Sequence, residues 1–121
     1  MMYNKTLNLP FQKIYAIDFE YYGGDGEIPK IVCMVIQNIR TAEISHVWRD
    51  ELLKMKTPPF KTEEDIVILT YFAPAEIQSM LALDWSTNVS VIDLFAEFRC
   101  ETNGNPNIIR KRLVDALSHY H

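Results

Sequence analysis

Short apolar runs, each cut off by acids, glycine or proline, constrain this chain more than any other feature. Lys13 to Phe19 (KIYAIDF) is rich in β-branched and aromatic residues and ends in acids followed by Gly23-Gly24-Asp25-Gly26. That pattern predicts a buried strand running into a turn. After Pro29, KIVCMVIQNI repeats the pattern, and beyond Arg40 to Glu43 the run ISHVW alternates sides, so a hairpin of antiparallel strands follows. Arg49 to Met55 suits a short helix, stopped by Thr57-Pro58-Pro59.

The second half changes rhythm. Glu63, Glu64 and Asp65 lead into IVILTYF, a near-continuous apolar run that suits a strand covered on both faces. Pro74 fits the first turn of a helix carrying Ile77, Met80 and Leu81 on one side. Asn88 to Ile92 reads as a strand and Asp93 to Phe98 as a helix. Beyond the Thr102 to Pro106 turn, a last helix would carry Ile108, Ile109, Leu113, Ala116 and Leu117 inward, with Arg110, Lys111 and Arg112 exposed. Three antiparallel strands followed by strand, helix, strand, helix, helix predict an α/β fold: a mixed sheet flanked by helices.

Bulk properties exclude some roles. A chain of 121 residues that is 48% hydrophobic can build one core. Its net charge of −4, from 16 acidic and 12 basic residues, gives no general attraction for a phosphate backbone, so nucleic acid would have to be held locally or through metal. Cys33 and Cys100 have no metal-ligand spacing and suit a reducing, cytoplasmic setting. No run reaches the roughly 18 apolar residues of a membrane span.

The candidate chemistry is carboxylate chemistry. Asp18 and Glu20 stand two apart at a strand end, so alternation sends both to one side while Phe19 points to the other. Paired oxygen ligands suit Mg2+ or Mn2+. Glu76, opening the helix after the fourth strand, and Asp93, at the junction of the fifth strand with its helix, belong near the carboxyl ends of strands, where such sheets place their sites. Each also has a plain structural reading, Glu76 as a first-turn acid and Asp93 as a helix N-cap. Tyr21, Tyr22 and Phe72 lie beside the acids and could stack on bases or simply edge the sheet.

Taken together, YAIDFE, TYFAPAEIQSML and VIDLFAEFR resemble the first two motifs, and the segment after them, of the 3′–5′ exonuclease (proofreading) domain of family A DNA polymerases, within the DnaQ-like, ribonuclease H-like superfamily. As in phage-type polymerases, WRDEL, an acid in place of the usual aspartate of the second motif, and LFAEFR followed by TNG occur in this order. The resemblance spans Ile14 to Leu117. It implies catalysis by Asp18, Glu20 and Glu76, a metal site of those three with Asp93, and hydrolysis of phosphodiester bonds at DNA 3′ ends by two divalent ions. The implied partners are a single-stranded DNA 3′ end and a polymerase domain or a second copy of the chain.

One departure stands out. The family completes its site with a tyrosine or histidine followed by an aspartate on a final helix; here His119, Tyr120 and His121 come last, and Asp115 precedes them. The expectation is therefore a single domain, residues 1–121, cut before the third motif. It is either part of a longer polymerase or a shortened relative whose activity is impaired, lost or completed by another chain. The alternative is a binding or interaction module that keeps the fold but cannot cleave; a missing final helix would leave an exposed apolar patch.

Overall fold

The computed structural model describes residues 8–60 and 65–121. Strands β1 (Lys13–Tyr22), β2 (Lys30–Asn38) and β3 (Ile44–Trp48) are followed by α1 (Arg49–Leu52), β4 (Ile66–Thr70), α2 (Ala73–Ala82), β5 (Ser90–Asp93), α3 (Leu94–Glu101) and α4 (Leu113–Tyr120). They form one five-stranded sheet in the order β3-β2-β1-β4-β5. The hairpin strands pair antiparallel, while β4 and β5 run parallel to β1. This is the mixed sheet with flanking helices that the sequence predicts.

Two-residue alternation sorts the apolar side chains onto two faces. Ile17, Phe19, Met34, Ile36, Ile66 and Ile68 share one face, where they pack with Met80 of α2, Trp85, Leu52 and Phe60. Ile14 and Val67, partners across the β1–β4 ladder, are buried on the other, where α3 lies against β4. The central strands are thus covered on both sides, as near-continuous apolar runs require. Just past helix α2, Asp84 takes a left-handed conformation, φ 59°, and Trp85 donates its main-chain N–H to Met80 O. That tuck buries the Trp85 ring near Phe19, with its Nε1 donating to Met55 O at 3.0 Å.

Several boundaries depart from expectation. The apolar run of β4 stops at Thr70, and Tyr71 and Phe72 form the turn into α2. The short helix after β3 ends at Leu52, well before Met55. Leu81 is exposed rather than core-facing. Residues Ile108 to Arg112, expected within the last helix, lie outside it, and Ile109 is 85% exposed. The Lys111 ammonium explains this break: it donates to Thr102 O, Thr102 Oγ1 and Ile108 O, so the segment caps α3 instead of extending α4. Arg112 then starts α4 through a reciprocal cap with Asp115. Glu63 and Glu64 lie outside the described residues.

Candidate active site

The sheet's carboxyl edge is uneven, and that unevenness makes the site. Strand β1 runs on to Tyr22, whereas its pairing with β4 ends at Ala16↔Leu69. Beyond that rung, no strand among the described residues receives the main-chain donors on the side of β1 that faces β4. Glu76 fills the gap: its Oε1 accepts from the Phe19 N–H at a long 3.5 Å. The helix that brings it there starts after only a two-residue turn, pre-set by Pro74 in its first turn.

Glu76 is only 4% exposed, and its second oxygen, Oε2, has no hydrogen-bond partner among the described residues. Burial pushes its pKa up to about 7, against the Phe19 hydrogen bond and with help from the negative charges of Asp18 and Asp93. Asp18 is also raised, by loss of solvent first and by Glu20 second. Asp18 and Glu76 are therefore both harder to ionise than a carboxyl free in water. Among the described residues no Lys, Arg or His pairs with Asp18, Glu20 or Glu76.

Asp18 and Glu20 are exposed and project from the face of β1 opposite Phe19. Glu76 reaches the same strand end from the Phe19 face, meeting the main chain between them. The three acids thus gather around one strand end without forming a finished cage. Among the described residues no group of three or more His, Cys, Asp or Glu is already arranged to hold an ion. The donor chemistry nevertheless fits a hard divalent cation: unpaired carboxylates, one orphaned buried oxygen and mutual repulsion that a cation would relieve.

Asp93 lies at the same edge but is used differently. Its Oδ1 accepts from Phe72 N at 2.9 Å and Phe95 N at 3.0 Å, and its Oδ2 from Ala73 N at 2.9 Å. It caps α3 and ties the β4–α2 turn to the end of β5. Three main-chain donors thus take up the oxygens that the family resemblance assigns to metal.

Tyr21, Tyr22 and Phe72 are about half exposed around the acids. Tyr22 stacks beneath the Lys30 ammonium at 5.7 Å, and Phe72 packs edge-on against Phe95 with ring centres 5.5 Å apart. Tyr21 lines a cleft of about 660 Å3 between the Gly23–Pro29 loop and Gln78, Leu81 and Ala82 of α2. Arg112 is engaged with Asp115 and Lys111 with the end of α3, so the basic run Arg110 to Arg112 is largely spent on structure. Sequence reasoning missed Thr70. It is 3% exposed, its hydroxyl has no hydrogen-bond partner among the described residues, and strand alternation puts it on the α2 face with Ile66 and Ile68. A hydroxyl closing an otherwise apolar strand is the signal that could have singled it out.

No protein-family model and no curated protein sequence matches this chain. Among solved structures, the EXO domain of Nibbler from Aedes aegypti superposes with a TM-score of 0.50 at 10% identity, over 78% of this chain and 49% of that one. The chain spans about half the length of that domain. Likeness at this identity speaks for the fold, a ribonuclease H-like one of the kind seen in an exonuclease domain.

Proposed function

We propose that this ribonuclease H-like chain is the acid-bearing part of a metal-dependent 3′–5′ exonuclease domain of the family A DNA polymerase type, acting on DNA 3′ ends. One observation carries the reading. Glu76 is held, buried and half-unsatisfied, against the main chain between Asp18 and Glu20, a costly arrangement for which a structural role offers no return.

On this reading Asp18, Glu20 and Glu76 hold Mg2+ or Mn2+. The bound ions supply the polarisation of the phosphodiester and the activation of water. Glu76, fixed by Phe19 N–H, sets the depth of the site, while exposed Asp18 and Glu20 adjust to the substrate. Tyr21, Tyr22 and Phe72 offer faces for the terminal bases, each stacked base contributing roughly 1–3 kcal/mol. With a net charge of −4 and no general attraction for a polyanion, binding would depend on metal.

The test is incubation of the purified chain with 5′-labelled single-stranded DNA and Mn2+, beside Asp18→Ala. Products shortened from the 3′ end by the wild type alone support the reading. Cleavage that persists in Asp18→Ala places the chemistry elsewhere.

A second reading is favoured by α4. Its Leu113, Val114, Leu117 and Tyr120 are more than half exposed, beside a groove of about 330 Å3 lined by Tyr71, Leu94 and Phe98. On that reading the chain is a non-cleaving module that uses this apolar face to bind a polymerase domain or a second copy of itself. A chain that cleaves nothing and dimerises by light scattering would support it.

A further inference from the structure

Phe72 is the starting point. Its backbone sits at φ 77°, ψ 74°, left-handed territory that a bulky aromatic side chain enters at a cost of roughly 1–3 kcal/mol. Such a conformation persists only where its surroundings over-determine it. Here they do: the N–H groups of Phe72 and of Ala73 after it point at the two oxygens of one carboxylate, that of Asp93. The same carboxylate accepts from Phe95 N, and the Phe95 ring meets both Tyr71 and Phe72 with ring centres 5.5 Å apart. Four residues beyond Phe72, about one helical turn, stands Glu76.

We infer that Asp93 is a positioning residue: it clamps the left-handed Phe72 turn and thereby fixes where α2 begins and where the Glu76 carboxyl meets β1. The importance of that placement for metal rests on the function proposed above; the clamp itself does not. A metal ligand and a clamp make opposite predictions about a second-site change. Glycine adopts the left-handed conformation without steric penalty, so Phe72→Gly removes the cost that the clamp has to overcome. It cannot replace a lost ligand oxygen.

The experiment compares wild type, Asp93→Ala, Asp93→Asn, Phe72→Gly and the double variant Phe72→Gly/Asp93→Ala. In metal-free buffer, Asp93→Ala is expected to lower the melting temperature by roughly 10 °C, and Phe72→Gly to restore at least half of that loss. Asp93→Asn keeps an acceptor at Oδ1 and loses the one facing Ala73, so it falls between wild type and alanine and covers the case in which alanine does not fold. In a Mn2+ titration, Asp93→Ala is expected to weaken binding about tenfold, and the double variant to return to within about threefold of wild type. A double variant that is folded but binds no better than Asp93→Ala, and melts no higher, overturns the inference. If the wild type itself binds no Mn2+, the proposed function fails, and the metal-free melting series alone decides the clamp: recovery by glycine upholds it and no recovery overturns it.

Discussion

Two corners of the carboxyl edge handle a carboxylate in opposite ways. At the β5–α3 junction Asp93 receives three main-chain N–H groups within 3.0 Å, which satisfy its charge. At the β1–α2 corner Glu76 receives one long contact, has an orphaned oxygen and faces other negative charges. The first arrangement stabilises the fold; the second holds strain that only a ligand or a proton relieves. Proximity in the fold therefore does not make acids equivalent, and the distribution of nearby N–H donors separates a satisfied carboxylate from an unsatisfied one.

The contrast can be broken most sharply through activity. Asp18→Ala and Glu20→Ala should each reduce Mn2+-dependent cleavage on the order of a thousandfold, about 4 kcal/mol, while leaving the melting temperature nearly unchanged, because both side chains are exposed. A variant that melts early would mean that the pair is structural.

Next comes the brace. Asp93→Ala should cost about 3 kcal/mol in urea unfolding, since a helix cap and two further main-chain donors lose their acceptor.

Glu76→Gln should go the other way. Folding favours the neutral form of Glu76, whose pKa rises from 4.5 to about 7. Below pH 4.5 the group is protonated in both states and contributes nothing to the pH dependence. From there to about pH 7 the unfolded chain releases a proton that the folded chain keeps, so stability falls, by on the order of 3 kcal/mol once pH 8 is reached. Removing the charge should recover most of that loss at pH 8 and little at pH 4, while abolishing cleavage. Melting curves across this range check it, and a flat difference would show that the carboxyl is not desolvated.

The smallest effect belongs to α4. Leu117→Ser should change stability by under about 0.5 kcal/mol, and any change in self-association by light scattering would mark that face as an interface.

Element types and their order were legible because strand runs here are short, β-branched and punctuated, and these cues are local. What escaped reading was set by long-range contacts. The break at Ile108 to Arg112 depends on Lys111 reaching back nine residues to Thr102, against an apolar spacing that suggests continued helix. The acids were legible as a set, yet their division of labour was not. Whether Asp93 points at solvent, metal or backbone is decided by a turn twenty residues upstream, in which Phe72, poorly suited to a left-handed backbone, gives no hint of its conformation. Thr70 offered only the hydroxyl that closes its apolar strand; its burial cannot be read from its neighbours in sequence.

The hydrogen bond between Glu76 and Phe19 N–H also gives the protein a built-in reporter. An amide proton donated to a side-chain carboxyl, just beyond the last rung of the β1–β4 ladder, should show a nuclear magnetic resonance shift that tracks the charge on that oxygen. Following this one backbone resonance during acid or manganese-free magnesium titrations would register events at the buried acid without altering a single atom of it.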